Sequence, residues 1–428
     1  MSSAIVTRAR TFGGSPAIPG DKSISHRGLI FGGLAEGRTE IEGILDSEDV
    51  RSTARCLRAM GVTIEQVGAR TLVDGAGARG LRSPAEALDC GNSGTTMRVM
   101  MGVLAGRDLR ARLFGDASLA RRPMRRVAEP LRKMGARIEL TGGDRAPVDV
   151  EGTRLSGVDH ELAIASAQVK TAILMAGLCA DGVTRIGGEI DSRDHTERML
   201  ADFGVRVVRE DGRLAIAGGQ RLVAARVSVP GDPSTAAFWM GAAAIVPGGA
   251  VELREVSLNP TRTGFQRVLE RMGATVEAEV TSTGAEPVGR VRVRAAGLRG
   301  VHVTAAEVPS LIDELPLLAV IASQAQGRTL VEGAEELRVK ETDRIEAVAT
   351  NLRAMGCPIE VRPDGFAIDG PCRLRGATLA SFDDHRIAMA FAVAGLVADG
   401  ATTIEGAECV AISYPGFFPA LRELTGGE

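Results

Sequence analysis

Aromatic side chains are scarce in this chain of 428 residues: Phe, Trp and Tyr together make up 3%, with a single Trp and a single Tyr. Proteins that bind single-stranded nucleic acid stack bases on such rings. The net charge of −3 adds no general attraction for a polyanion. The composition therefore predicts no nucleic-acid partner, and any attraction for a smaller anion must come from local groups of Arg and Lys.

Long apolar runs are also missing. The longest, residues 236–246, is well short of the ~20 residues that a membrane span requires, and residues 1–10 contain no apolar stretch of signal-peptide length. We therefore expect a cytoplasmic protein with no membrane partner.

Cysteines are few and scattered. They form no CxxC motif, so we expect neither a zinc site nor a disulfide framework but buried free thiols. The six positions are 56, 90, 179, 357, 372 and 409.

Internal repetition, in contrast, is abundant. The phrase LRAMGVTIE at 57–65 recurs in variant form from residues 131, 200, 269 and 352, and a shortened copy, LRELTG, starts at 421. Each copy predicts the end of an amphipathic helix, a glycine stop and a strand. Before each copy comes a helix that is apolar nearly all round, followed by an alternating strand such as EGRTEIEG at 36–43. The chain is thus predicted to repeat one helix-strand-helix-strand-hairpin unit six times.

These repeats and the chain length favour two domains. The sixth unit lacks its last strands, and the segment AIVTRARTFGGSPAI at 4–18 is predicted to replace them as two strands around a Gly-Gly turn. We therefore expect one domain at 20–230 for repeats one to three, and another of 1–19 with 231–428 for repeats four to six. The expected fold class is α/β, a two-domain inside-out α/β barrel with sheets around buried helices and the active site in the cleft between the domains.

The segments that precede the buried helices are rich in Ser, Thr and Asp, which are ordinary N-caps. Capping does not explain cations such as Lys22, Arg27 and Arg386, because a cation opposes the positive end of the helix dipole unless an anion lies between them. The segments are DKSISHR (21–27), GNSGTTMR (91–98), ASAQVKT (165–171), GDPSTA (231–236), PSLIDE (309–314) and DDHR (383–386).

The junctions between strand and outer helix add more charge. Surface Arg and Lys are usually only solvated, but here they lie beside Gly and Pro at equivalent places in successive repeats: GDASLARRPM (115–124), DSRDHTE (191–197), NPTRTG (259–264) and LRVKETDR (337–344). Arg122, Arg344 and Arg386 are the candidate cluster for a small, multiply charged anion. Asp313 and Glu341 lie next to cations within these motifs and are candidates for general acid and base.

In this order and over nearly the whole chain, the motifs DKSISHR, GNSGTTMR, RRPM, ASAQVK, LRVKETDR and DHRIAM resemble the EPSP synthase family of enolpyruvyl transferases. The resemblance implies transfer of the carboxyvinyl group of phosphoenolpyruvate to the 5-hydroxyl of shikimate 3-phosphate. Phosphate leaves by addition and elimination through a tetrahedral intermediate, with cleavage of the C–O bond. It further implies a monomer without metal or organic cofactor, acting in the shikimate pathway of chorismate and aromatic amino acid biosynthesis.

The resemblance also assigns roles to individual residues. It implies that Asp313 deprotonates the attacking hydroxyl, that Glu341 protonates the methylene carbon of phosphoenolpyruvate, and that Lys22 assists the departure of phosphate. The implied contacts of shikimate 3-phosphate are Lys22, Ser23, Arg27, Ser166, Ala167, Gln168, Arg193, Asp313 and Lys340. Those of phosphoenolpyruvate are Lys22, Gly94, Arg122, Gln168, Arg344 and Arg386.

Three features depart from the family pattern or divide its branches. Ile412 in VAISYPG replaces a Lys that many members have, and RPMRR places Arg125 beside Arg122 where RPMGR is usual. ASAQVK, DSRDHTE and DHRIAM resemble the glyphosate-tolerant branch, whereas Gly94 is the residue of the sensitive branch. Because Gly94 leaves room for the slightly longer inhibitor, we expect glyphosate to compete with phosphoenolpyruvate.

Two alternatives remain open at this point. The UDP-N-acetylglucosamine enolpyruvyl transferases share the fold, but they have Lys-Asn where this chain has Lys22-Ser23, and a loop Cys where residues 111–125 contain none. Six repeats could also build a non-catalytic binding scaffold. Such a scaffold has no need of Asp313, Glu341 and cations at helix starts.

Overall fold

The computed structural model describes residues 2–426, which contain fourteen α-helices and twenty-three strands. The helices are α1 Lys22–Leu34, α2 Glu48–Ala59, α3 Gly77–Gly80, α4 Gly94–Ala105, α5 Ala117–Arg121, α6 Arg125–Lys133, α7 Ala167–Gly177, α8 His195–Asp202, α9 Pro233–Ile245, α10 Gly264–Arg271, α11 Leu315–Ala322, α12 Arg344–Ala354, α13 His385–Gly395 and α14 Phe417–Leu424. Short 3-10 helices occupy Val308–Ser310, Ile312–Glu314, Glu335–Val339 and Ala407–Ile412.

The strands are short and follow the helices in regular alternation. They are β1 Ser3–Val6, β2 Gly13–Gly14, β3 Glu36–Glu42, β4 Thr63–Val67, β5 Arg70–Ala76, β6 Leu88–Asp89, β7 Arg110–Phe114, β8 Arg137–Thr141, β9 Arg145–Glu151, β10 Asp159–Leu162, β11 Val183–Gly188, β12 Val207–Glu210, β13 Arg213–Ala217, β14 Arg226–Ser228, β15 Ala250–Ser257, β16 Thr275–Thr283, β17 Pro287–Arg294, β18 His302–Val303, β19 Gly327–Val331, β20 Glu360–Arg362, β21 Gly365–Gly370, β22 Thr378–Ala380 and β23 Thr402–Glu405.

The chain divides into two compact units. The first domain is Gly20–Val229, and the second domain consists of the residues before Gly20 together with those after Val229. The first domain has three four-stranded sheets, ordered β14-β3-β5-β4, β6-β7-β9-β8 and β10-β11-β13-β12. The second has two four-stranded sheets, β16-β17-β15-β2 and β18-β19-β21-β20, and one three-stranded sheet, β1-β23-β22.

One pairing pattern is common to the four-stranded sheets. In the second of them, β6 lies parallel to β7, whereas β7 pairs antiparallel with β9 and β9 with β8. Side chains alternate across each strand, so that Ala111 and Leu113 on β7 are buried while their neighbours are exposed. Every sheet is therefore open and two-faced, with an apolar face that requires a cover.

The cover in each domain is a set of three helices that are buried almost all round: α1, α4 and α7 in the first, and α9, α11 and α13 in the second. In the first domain α4 and α7 pack backbone to backbone, since a Cβ on Gly102 would lie 2.2 Å from the carbonyl oxygen of Ala172. Only glycine permits that approach. The expected α/β class, with sheets around buried helices, is confirmed, although the sheets are not closed barrels.

The few aromatic residues are concentrated in the core of the second domain. The ring of Trp239 stacks on that of Phe417 with centroids 4.9 Å apart, and Tyr414 meets Trp239 edge to face. Phe12 and Phe238 also contact this group. Both cores are mainly aliphatic, but most of the buried rings lie in the second, whereas the first has Phe31 and Phe203.

The predicted glycine stops are confirmed in all six repeats. Each outer helix ends one or two residues before a glycine with a left-handed backbone, which L side chains rarely adopt. These glycines are Gly61, Gly135, Gly204, Gly273, Gly356 and Gly426, with φ between 67° and 109°.

The predicted hairpin at the N-terminus is wrong. Gly13–Gly14 is not a turn but the strand β2, which lies parallel to β15, whereas β1 pairs antiparallel with β23 in a different sheet. β1 takes the place of the antiparallel strand that the sixth repeat lacks. β2 occupies the edge position that β6 and β10 occupy in the first domain. Both segments are strands, as expected, but each completes a different sheet.

No α-helix in residues 2–426 combines the length and apolar character that a bilayer span requires. The six cysteines are free, as expected, but Cys179 and Cys372 are only partly buried.

Candidate active site

The three buried helices of the first domain all begin with a side-chain cap. A side-chain oxygen of Asp21 accepts from the backbone N–H of Ile24 at 2.9 Å at the start of α1. Ser93 caps α4 and Ser166 caps α7 in the same way. Capping therefore accounts for part of the Ser and Asp content of these segments, and leaves the cations to be explained.

Lys22 is the first residue of α1, and its Nζ lies 2.9 Å from Oδ2 of Asp49 on α2. Sequence reasoning did not single out Asp49, although it occupies the strand-to-helix junction of the first repeat. Ser23 follows on the first turn and is partly buried. The ion pair between Lys22 and Asp49 holds the ammonium group at the helix start against the repulsion of the helix dipole.

Arg27 is buried and joins three helices. Its guanidinium donates to the carbonyl of Ser23 at 2.9 Å, to Oγ1 of Thr171 on α7 at 2.9 Å, and to Oγ1 of Thr196 on α8 at 2.7 Å. The carbonyl of Ala167, the first residue of α7, accepts from Thr171 at 2.7 Å. The predicted contacts at 23, 27 and 167 are thus brought together by one hydrogen-bond network.

Arg122 is held just before α6. Its Nη2 donates to Oδ1 of Asn92 at 2.7 Å and to Oγ of Ser118 at 3.2 Å. Arg125, its neighbour in RPMRR, points elsewhere: its guanidinium donates to the carbonyl of Gly143 at 2.9 Å. The two residues are close in sequence but their side chains diverge, because α6 starts at Arg125 and directs it to the β8–β9 turn.

Gln168, on the first turn of α7, connects this helix to α4. Its Oε1 accepts from Nη1 of Arg98 at 2.7 Å, and its Nε2 donates to Oγ1 of Thr95 at 3.0 Å. A Cβ on Gly94 would lie 3.3 Å from Nη1 of both Arg98 and Arg122. Gly94, Arg98, Arg122 and Gln168 therefore form one polar group at the start of α4, which we call the Gly94 group.

Arg193 and Ser192 lie in the segment that leads into α8, where Arg193 is partly buried. The nearby Lys170 is buried and its Nζ lies 2.7 Å from Oε1 of Glu197. The lysine of ASAQVK is thus a structural cation rather than a member of the predicted binding set.

In the second domain, Arg344 is the centre of the candidate site. Its side chain is 1% exposed and lies among three carboxylates. It donates to Oδ2 of Asp384 at 2.7 Å, to Oε2 of Glu341 at 2.7 Å and to Oδ1 of Asp313 at 3.1 Å. Burial opposes the positive charge, but the carboxylates outweigh it and raise the pKa of Arg344 above its ordinary value. One guanidinium thus fixes both predicted acid–base residues.

Asp313 also faces two further predicted cations. Nζ of Lys340 lies 3.7 Å from its Oδ1, and Nη2 of Arg386 lies 3.6 Å from its Oδ2. Nη1 of Arg386 lies 3.9 Å from Oε1 of Glu314. The second domain therefore brings all of its predicted site residues into one group, which we call the Arg344 group: Asp313, Lys340, Glu341, Arg344, Arg386 and the added Asp384.

Two features besides Asp49 were missed by sequence reasoning. Asp384 is fully buried, caps α13 and pairs with Arg344. Its signal was present in DDHR, where two acids precede a cation. His26, within DKSISHR, is buried and shares a 2.7 Å hydrogen bond with Oγ1 of Thr53, which bonds Thr96 at 2.7 Å. Burial, then Lys22 and Arg27, hold the pKa of His26 well below its ordinary value, so the ring is neutral at pH 7.

Ile412 ends a 3-10 helix and packs partly buried against the core of the second domain. It offers no charge at this position. Among the described residues, no three His, Cys, Asp or Glu side chains are grouped as metal ligands would be.

Basic side chains at the first turns of buried helices, and two carboxylates held on one guanidinium, suit an enzyme that binds small phosphorylated anions and transfers protons. Among solved structures, the fold is that of the enolpyruvyl transferases. EPSP synthase from Acinetobacter baumannii matches with a TM-score of 0.86 and 42% identity, over 99% of this chain and 97% of that one. The enolpyruvyl transferase NikO from Streptomyces tendae has a TM-score of 0.80 at 19% identity, over 99% and 97%, a likeness of fold alone.

The sequence comparison is more specific. The family model for EPSP synthase (3-phosphoshikimate 1-carboxyvinyltransferase) matches residues 7–421. The 3-phosphoshikimate 1-carboxyvinyltransferase of Herpetosiphon aurantiacus is 50% identical over 418 residues, which cover 96% of this chain and 97% of that protein. The chain belongs to the EPSP synthase family. These matches do not favour either alternative, the UDP-N-acetylglucosamine enolpyruvyl transferase or the scaffold.

Proposed function

We propose that this enzyme transfers the carboxyvinyl group of phosphoenolpyruvate to the 5-hydroxyl of shikimate 3-phosphate and releases phosphate. The observation that carries the proposal is the Arg344 group, in which Asp313 and Glu341 accept from the same buried guanidinium at 3.1 and 2.7 Å. Addition across the double bond of an enol phosphate needs a base for the hydroxyl and an acid for the methylene carbon, held close together. Family membership supplies the two substrates.

Each acid–base residue has one proton to move. Asp313 takes the proton of the 5-hydroxyl as its oxygen bonds to C2 of phosphoenolpyruvate, while Glu341 gives a proton to C3. In the second half, a proton returns from the new methyl group to Glu341 as the C–O bond to phosphate breaks. The proton held by Asp313 passes to the departing phosphate, so both carboxyl groups return to their starting state. Because Arg344 is a permanent cation, it keeps both carboxyl groups oriented without competing for either proton.

The first domain supplies cations for the charges of the substrates. We assign Lys22, Ser23, Arg27, Ser166, Ala167, Gln168 and Arg193 to shikimate 3-phosphate, together with Asp313 and Lys340. We assign Lys22, Gly94, Arg122, Gln168, Arg344 and Arg386 to phosphoenolpyruvate. Helix N-termini and fixed guanidinium groups offset the repulsion between the two anions without reorganising during the reaction.

Lys22 has a further role in the proposal. Its positively charged ammonium group stabilises the negative charge that develops on the departing phosphate. Oδ2 of Asp49, 2.9 Å from Nζ, holds the ammonium group in place. We also propose that the enzyme works as a cytoplasmic monomer, without nucleic-acid or membrane partners and without a cofactor.

Binding of shikimate 3-phosphate is expected to bring the two domains closer together, because its proposed contacts are divided between them. Small-angle scattering should show a smaller radius of gyration at saturating ligand. Unphosphorylated shikimate is the matched control and should cause less change. An unchanged radius, at a ligand concentration where calorimetry shows full occupancy, would rule out closure by this substrate.

Gly94→Ala is expected to raise the inhibition constant of glyphosate far more than the KM for phosphoenolpyruvate. The added methyl would lie 3.3 Å from the guanidinium nitrogens of Arg98 and Arg122, and glyphosate is the longer molecule. A clash of ~1–3 kcal/mol corresponds to roughly 5- to 150-fold in affinity.

The matched control for this substitution is Gly284→Ala, because a Cβ there meets nothing within 4 Å. It should leave both constants unchanged. Steady-state inhibition kinetics check the expectation. An unmodified enzyme that tolerates millimolar glyphosate would contradict the expected role of Gly94. Neighbouring residues such as Ile412 would then determine the response to the inhibitor.

A further inference from the structure

Two cysteines outside the Arg344 group lie in direct contact. Sγ of Cys357 is 2.9 Å from Sγ of Cys372, and both are free thiols. Cys357 follows α12 and its backbone N–H donates to the carbonyl of Leu352 at 2.9 Å; that of Cys372, after β21, donates to Ser323 at 2.7 Å. Since both backbones are anchored, the contact between the sulfur atoms belongs to the fold.

We propose that Cys357 and Cys372 form a reversible modification site, a dithiol that a low-molecular-weight disulfide such as oxidised glutathione converts into an intramolecular disulfide. The sulfur atoms need to approach by roughly 0.9 Å to reach the bond length of a disulfide. Before oxidation both thiols are free, as expected for all six cysteines.

The different exposure of the two thiols sets the order of the steps. Cys372 is partly exposed and Cys357 is 0% exposed, so the small disulfide meets Cys372 first. The thiolate of Cys372 attacks one sulfur of the reagent and releases one reduced thiol, which leaves a mixed disulfide. Cys357 then loses its proton and attacks Sγ of Cys372, which releases the second reduced thiol. Two protein thiols are oxidised and one small disulfide is reduced.

The protonation state of Cys357 fits the second position in this sequence. Burial, and then the hydrogen bond with Cys372, raise the pKa of the Cys357 thiol. Its S–H donates to the sulfur of Cys372, so the second thiol already lies against the sulfur that it attacks.

The other cysteines lack this combination of access and a partner. Cys56 and Cys90 interact with each other, but both are almost completely buried. Burial raises the pKa of the Cys409 thiol to about 12. Cys179 is partly exposed and lies in the first domain, so it serves as the control for a single accessible thiol.

The disulfide would join the end of α12, the helix that begins at Arg344, to the segment after β21. Closing this loop of about 15 residues restricts the unfolded chain, so the oxidised second domain should melt at a temperature higher by ~5 °C.

The test uses the purified full chain and oxidised glutathione, with mass spectrometry of tryptic peptides. Both cysteines fall in the peptide 354–373, because Arg362 precedes Pro363 and is not cleaved. We expect this peptide to become lighter by two hydrogens and to return to its reduced mass with dithiothreitol.

Two variants keep the proposal open to refutation. Cys357→Ser should trap glutathione on Cys372, since the second thiol is missing, and should show no rise in melting temperature. Cys179→Ser should oxidise like the unmodified chain. A stable glutathione adduct on Cys372 in the unmodified chain, or a peptide 354–373 that stays reduced while Cys179 reacts, would overturn the proposal.

Discussion

Glu341→Gln is expected to lower kcat by roughly 10²- to 10⁴-fold while binding of shikimate 3-phosphate stays nearly unchanged. The amide keeps the size of the carboxyl group and can still accept from Nη2 of Arg344, which lies 2.7 Å from Oε2 of Glu341. It has no proton to give to the methylene carbon and cannot take one back. Steady-state kinetics and calorimetric titration separate turnover from binding.

The matched control for Glu341→Gln is Glu346→Gln, which makes the same chemical change on α12 at an exposed residue. It should leave both kcat and affinity unaltered. Near-normal turnover in Glu341→Gln would show that Glu341 does not transfer the proton. Its role would then be only to orient Arg344.

Arg344→Met is expected to abolish activity and to destabilise the second domain by about 3–5 kcal/mol. The substitution leaves three carboxylates without their shared guanidinium, and one of them, Asp384, is fully buried. For a domain of this size, the loss corresponds to a fall of roughly 10 °C in melting temperature. Differential scanning calorimetry measures it.

Two further variants serve as comparisons for the effect of Arg344→Met on melting temperature and activity. Arg328→Met removes an exposed guanidinium of the same domain that also pairs with two carboxylates, Asp369 and Glu360. It should hardly change the melting temperature, since exposed pairs contribute little. Arg344→Lys keeps the charge but not the fork, and should recover part of the stability with little activity. A melting temperature unchanged in Arg344→Met would show that the carboxylates do not depend on this cation.

The parts of the fold that sequence reasoning predicted are those determined by local chemistry. A glycine after an amphipathic helix marks the end of that helix wherever it occurs, so six copies of one phrase predicted six outer helices. The N-terminal strands illustrate the limit. Their existence follows from local alternation, but the partners of β1 and β2 lie hundreds of residues away, at β23 and β15. Nothing local distinguishes a hairpin from two strands in separate sheets.

The candidate site shows the same division. Residue types next to helix starts pointed to Asp313, Glu341, Arg344 and Arg386, and the fold groups them. The sequence could not show whether Asp383 or Asp384 completes the Arg344 group, because the two acids are adjacent. The start of α13 decides between them, since Asp384 is the residue that caps this helix and is buried.

Two arginines of RPMRR give a further example. Arg122 and Arg125 are equal in charge and three residues apart, yet the first donates to Asn92 and the second to Gly143. The direction of a long side chain depends on acceptors that the folded chain brings near it.

Carboxyvinyl transfer itself is tested most directly by supplying phosphoenolpyruvate labelled with ¹⁸O in its bridging oxygen, with and without shikimate 3-phosphate. The account predicts that phosphate appears only when both substrates are present, in equal amount to the enol ether product, and that the label leaves with phosphate because the C–O bond breaks. UDP-N-acetylglucosamine in place of shikimate 3-phosphate should release none. Phosphate released without shikimate 3-phosphate, or label retained on the carbon product, would contradict the proposed reaction.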